Sequence, residues 1–195
     1  MKPAISEFFK ERKDTTLYLP VTPKEFFSKQ IAVFMFGAVV GWIWEELYVS
    51  ALFGRWVKRG FLFGPYLPIY GMGCLLIVWI KHRYGKSPLR LFAFTAALCG
   101  TMEYLTSLIL ELVYHRRWWD YSTHFANLNG RVYLCGILSF GVIGILFAYC
   151  LLPEIEKLLQ SARLERPTRI FISVFLIVFL LDFTISLFTN LALPA

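Results

Sequence analysis

Several signatures of soluble chemistry are missing from this sequence. It holds no HExxH, no CxxC and no GxxxxGK[ST], so neither a zincin helix, a paired-cysteine centre nor an in-chain P-loop ATPase is encoded. No nucleophile motif stands out. No separate soluble domain and no fixed-period repeat appear. The formal net charge is +7, yet no arginine-rich stripe with interleaved aromatics lies in a soluble segment, which excludes nucleic acid as a partner. The N-terminus has no cleavable-signal pattern, because its first stretch is charged and polar and the first apolar run is too long for a signal core. The four cysteines (Cys74, Cys99, Cys135, Cys150) all fall in apolar runs and read as small packing residues.

What the chain does have is apolar length. It is 57% hydrophobic and 18% aromatic over 195 residues, with 19 Phe, 10 Tyr and 6 Trp. That composition describes an all-α integral membrane protein with two interfaces to anchor. Crossing a hydrocarbon core of about 30 Å takes about 20 helical residues. Five runs are long enough, near 30–53, 61–81, 89–114, 132–152 and 169–191. The expected fold is a bundle of about five transmembrane helices in one domain, 30–191. An amphipathic interfacial segment, 1–29, precedes it, with Phe8, Phe9, Phe26 and Phe27 among charges. Gly64, Pro65 and Pro68 make the first turns of the second run irregular, and 153–168 reads as a short charged linker.

Charge placement orients the bundle. Fourteen of the 20 Lys and Arg residues lie in the N-terminal segment and in the stretches 81–90 and 157–169; the other six lie in 55–59 and 116–131. The positive-inside rule then puts the N-terminus in the cytoplasm and the C-terminus outside a bacterial inner (cytoplasmic) membrane. The six acids Glu45, Glu46, Glu103, Glu111, Asp120 and Asp182 all fall in the outer half, where they balance the six outer cations. The basic excess lies inside, against anionic lipid.

A carboxylate within a membrane helix costs about 2.5–3.5 kcal/mol, so it marks a functional site by default. Glu45, Glu103 and Asp182 are the candidate reactive acids. Each lies on a polar or small-residue stripe of four-residue spacing: Gly37, Gly41, Glu45; Glu103, Ser107, Glu111; Asp182, Ser186, Asn190. A fourth stripe runs from Arg131 through Cys135 and Ser139. Converging stripes would line a cavity open to the outside, with an outer arginine as counter-charge. Glu46 and Glu111 read as headgroup-level acids, and Gly37 with Gly41 as helix packing. Glu111/His115 and Asp120/His124 are spaced as ligand pairs, but no third ligand follows, so neither metal nor cofactor is expected.

The stretch RRWWDYSTHFANLNGR (116–131) concentrates polar groups above these helices. Trp118 and Trp119 suit an interface belt, Asp120 a cap, and Asn127, Asn129 and Gly130 a turn. The whole reads as the rim of the cavity. The candidate binding set is therefore Glu45, Tyr70, Glu103, Glu111, Asp120, Asn127, Asn129, Arg131 and Asp182.

The blocks GWIWEELY (41–48), GFLFGPYLPIYGMG (60–73), EYLTSLILE (103–111), WWDYS (118–122) and NLNGR (127–131) occur in that order. Over roughly residues 31–150 the chain resembles the bacterial membrane family "putative ABC-transporter type IV". The resemblance implies a permease, a small-molecule substrate, lipid surroundings and a partner membrane or ATPase subunit. The inner loops near 82–88 and 153–168 are short for docking such a subunit. Two other readings stand beside the permease: an integral-membrane enzyme acting on a lipid or lipid-linked substrate in the outer leaflet, with Arg116, Arg117 or Arg131 on a phosphate, and an accessory membrane subunit.

Overall fold

Proline sits in the first turn of four helices, where its missing N–H costs nothing and its fixed φ favours the helix. These helices are α1 (Pro23–Phe53), α2 (Pro68–Tyr84), α3 (Pro88–Tyr114) and α6 (Arg166–Ala192). Between α3 and α6 lie a two-residue antiparallel ladder, β1 (Asn127–Leu128) with β2 (Val132–Tyr133), and one long helix in three parts. Those parts are α4 (Leu134–Leu146), a π-helical turn (Phe147–Leu151) and α5 (Leu152–Ser161). The computed structural model describes residues 23–56, 58–85, 87–161 and 166–192.

The architecture is all-α apart from that ladder. Among the described residues, four stretches are long and apolar enough to cross a membrane: Glu25–Phe53, Pro88–Tyr114, Leu134–Leu159 and Pro167–Leu191. Large apolar side chains cover their outer faces, among them Trp44, Leu112, Val142, Ile177 and Leu181. In water such a surface would be untenable; against lipid it is ordinary.

The second expected run, 61–81, is corrected. Its first seven residues are not helical, and α2 has 17 residues, about 26 Å at 1.5 Å per residue. Physical causes are visible. Gly60 has φ +100, Pro65 and Pro68 cannot donate, and the N–H groups of Phe63 and Gly64 find their acceptor on α6 instead of within a helix. Asn190 of α6 donates to the Phe61 carbonyl and Asp182 accepts from Gly64, so this segment descends about 12 Å along α6 before α2 begins. Irregular backbone there is tolerable because side chains of α6 satisfy its polar groups.

Two further boundaries move. The fourth run starts at Leu134, after the ladder, and continues through Ser161, so much of the expected linker 153–168 is helix. The first run begins at Pro23; the remainder of the expected interfacial segment, 1–22, lies outside the described residues.

Packing shows that successive helices alternate in direction. Val33 of α1, Ile77 and Val78 of α2, Leu91 of α3 and Phe147 form one buried cluster at the end we call lower. Nearer mid-height, on the side of α6, Ala38, Leu62 and Tyr66 are buried against Phe34, Phe175 and Phe179. α1 and α2 approach closely because Gly41 lies under the Tyr70 ring, where any Cβ would overlap ring carbons.

Candidate functional site

Glu45 and Glu46 are adjacent on α1, and one residue of the following segment engages both. The Arg59 guanidinium donates to Glu45 Oε1 at 2.8 and 3.0 Å, while the Arg59 backbone N–H donates to Glu46 Oε2 at 3.0 Å. Glu46 is 1% exposed. It is a buried acceptor that fastens the chain after α1, not the solvated headgroup-level acid expected from sequence. The counter-charge to Glu45 is Arg59.

Tyr70, in the first turn of α2, lies within electrostatic range of Glu45, Glu103 and Tyr121. The Tyr121 hydroxyl donates to Glu103 Oε1 at 3.3 Å. Among the described residues no cation pairs with Glu103. Glu103 and Glu45 also feel one another. Three of the expected site residues, Glu45, Tyr70 and Glu103, thus meet between α1, α2 and α3, joined by two the sequence reading did not select, Arg59 and Tyr121. Burial, and then the Glu103 charge, push the Tyr121 phenol above its ordinary range, which keeps it a donor. Its ring packs on His124 and Tyr133, with centroids 5.4 and 4.8 Å away.

Asp182 is occupied differently. It accepts from Phe63 N at 3.1 Å, Gly64 N at 2.7 Å, Tyr66 Oη at 2.6 Å and Ser186 Oγ at 2.9 Å. Two consecutive amides converge on one carboxylate, an anion nest in which the anion is the protein's own side chain. Asp182 pins the irregular segment to α6.

The remaining expected residues build the cover over the upper end. Glu111 bonds two arginines, Arg131 Nη2 at 2.7 Å and Arg117 Nε at 2.9 Å. Arg131 is buried and also donates to Ser107 Oγ at 3.1 Å. Asp120 Oδ1 accepts the Ser122 N–H at 2.9 Å, and this bond, aided by Arg117, holds its carboxyl below the usual range. Asn127 donates to the carbonyls of Ser122 and His124 and accepts from Gly130 N. Asn129, at φ 53, donates to Tyr104 Oη. Trp119 Nε1 donates to the Arg131 carbonyl. The cover is therefore held by its own polar groups, which accounts for their density.

One stripe is corrected. Cys135 and Ser139 are exposed on the outside of α4, with Ser139 bonded to the Cys135 carbonyl. The face of α4 that meets α3 is the small-residue one, where Gly141 lies under Phe92 and Gly144 under Thr95. A separate open groove of about 500 Å³, at the lower end of α6, is lined by Pro167, Ile170, Phe171 and Val174; it is apolar and offers no group for polar recognition. Among the described residues, no three of His, Cys, Asp and Glu gather as metal ligands.

Comparison with curated proteins and with solved structures finds no match. A family model does match, over residues 32–187, and so reaches from the first helix through the Asp182 anchor on α6. A chain matched over that length, with four apolar helices, is a membrane protein of transporter type, and it belongs to the family described as "Putative ABC-transporter type IV".

Proposed function

We propose that this chain is a permease, or the membrane component of one, that receives a cationic or zwitterionic small molecule from outside the cell. The site is the cluster Glu45, Tyr70, Glu103 and Tyr121. One observation carries the reading: Glu103 lies mid-helix in α3, half-buried, with a tyrosine hydroxyl as its hydrogen-bond partner and no paired cation among the described residues. A carboxylate kept in a membrane helix at such a cost is matched by a ligand's positive group. Tyr70 and Tyr121 add two phenol rings, which favour an organic cation. Arg59 is engaged by Glu45, which leaves Glu103 as the acid of the cluster without a paired cation among the described residues.

In this reading the chain crosses the membrane five times. The second pass is composite, with an irregular outer half at 60–67 and helix α2 as its inner half. The N-terminus is cytoplasmic and the upper end faces outward, as the distribution of Lys and Arg argues. Lipid surrounds the bundle, and an ATPase or second membrane subunit is a separate chain. The lipid-enzyme reading is weaker on a specific point. The arginines it needs for phosphate are engaged: Arg116 with Asn190 and the Trp118 ring, Arg117 and Arg131 with Glu111.

The test is ligand-dependent thermal stabilisation of the purified protein in nanodiscs, against a panel of organic cations and zwitterions, followed by uptake of any hit in cells. Stabilisation by such a compound in the wild type and its loss in Glu103→Gln is the expected result. A panel hit that stabilises both proteins equally removes Glu103 from the site. Stabilisation by phospholipid headgroups alone favours the enzyme.

A further inference from the structure

Pro153 leaves a mark in the lower half of the bundle. In an α-helix the amide of residue 153 would bond the Tyr149 carbonyl, and proline has no such amide. The helix widens to a π turn over Phe147–Leu151, with the Leu152 N–H donating to the Phe147 carbonyl. In that register the donor to the Ala148 carbonyl would again be residue 153, so its own helix cannot supply one. Lys81 of α2 does, donating from Nζ to the Ala148 oxygen. The Lys81 side chain is 1% exposed, with its ammonium 5.4 Å from the Tyr149 ring centroid. The Tyr149 hydroxyl then donates to the Gly85 carbonyl at 2.7 Å. These contacts fasten the lower end of α2 to the π turn.

Just above this fastening, Val33, Ile77, Val78, Leu91 and Phe147 form an apolar floor, each at most 5% exposed. A polar stripe descends to it along α3: Glu111, Ser107, Glu103, Cys99 and Thr95 recur at every fourth residue, and the next position is Leu91 of the floor. Thr95 is fully buried, and its hydroxyl has no hydrogen-bond partner among the described residues. Polar groups therefore continue below the Glu45–Glu103 cluster and stop where the fastening begins.

We propose that the Lys81–Ala148 and Tyr149–Gly85 contacts are the latch of an inner gate. Release of Lys81 from the Ala148 carbonyl lets α2 and the π turn part, separates Phe147 from Leu91, and connects Thr95 to the cytoplasmic side. π turns inside helices are suited to this, because they can shift register without unfolding the helix. The inference rests on the transport reading above.

The experiment needs no knowledge of the solute. In a protein retaining Cys99 alone, with Cys74, Cys135 and Cys150 changed to serine, Cys99 is challenged with a membrane-impermeant cationic thiosulfonate. Right-side-out vesicles present the outer face and inside-out vesicles the inner face. With Lys81 intact, Cys99 reacts from the outer face only. Lys81→Met raises the inner-face rate about tenfold or more, the scale set by loss of one buried hydrogen bond, and Lys81→Arg stays closed. Pro153→Ala, which restores an amide donor in competition with Lys81, also opens the inner side and serves if Lys81→Met does not fold. Outer-face reaction with no inner-face gain in either variant overturns the latch alone. Inner-face reaction with Lys81 intact also overturns it. Absence of outer-face reaction overturns the outward-facing site itself.

Discussion

Glu46 and Glu103 are both carboxylates on membrane helices, yet substitution separates them. Glu46 accepts a backbone N–H, and glutamine can accept the same bond, so Glu46→Gln keeps the fold and ligand response. Glu46→Ala leaves the Arg59 amide without its acceptor and costs about 1–3 kcal/mol. Glu103→Gln keeps the fold and abolishes the ligand response. Thermal unfolding with and without ligand checks all three, and equal loss of response in both glutamine variants would sink the ranking. Asp120 gives a pH prediction. Its folded carboxyl is depressed, chiefly by the Ser122 N–H, so its contribution to the cover is complete above the unfolded value of about 3.9 and is lost as pH falls through the lower folded value. Tryptophan fluorescence from Trp118 and Trp119 should therefore change in strong acid in the wild type. Asp120→Asn should lack that increment; identical profiles refute the assignment.

The descending segment at 60–67 depends on one distant acid. Asp182→Ala strands the Gly64 amide and the Tyr66 hydroxyl, at about 1–3 kcal/mol for each left unpaired, and leaves the more exposed Phe63 amide to water. A marked fall in thermal stability with retained helix content is expected by circular dichroism; an unchanged melting point would show that the segment is held elsewhere. This element also shows what the sequence could and could not reveal. The helical runs were readable because lipid thickness sets their length, and Gly64, Pro65 and Pro68 already announced irregular turns. The start of α2 was not readable, since 60–67 is as apolar as a helix and its acceptor lies more than a hundred residues away in α6. Cys135 and Ser139 misled because, in a helix apolar all round, four-residue spacing does not say which side meets protein; Gly141 and Gly144 were the better signal. Glu45, Tyr70 and Glu103 were legible as costly or motif residues, and Tyr121 stood in the block WWDYS; the reach of Tyr121 to Glu103 and of Arg59 to Glu45 was not legible, because both lie on connectors whose path only the folded chain defines.

For the whole molecule, sidedness is the property most directly measured. Thr123 is exposed in the upper cover, so Thr123→Cys in a background without the native cysteines should react with an impermeant maleimide on intact cells. Reaction only after lysis would invert the bundle and with it the direction from which solute enters. The Asp182 anchor also bears on how the molecule is made. Phe63 and Gly64 leave the ribosome well over a hundred residues before their acceptor. Until α6 enters the bilayer, those amides have no native partner. The irregular segment thus stays unfastened until α6 has been made. A chain stopped before α6 would still present an unfinished face, the kind of surface that membrane chaperones bind and quality-control proteases cut.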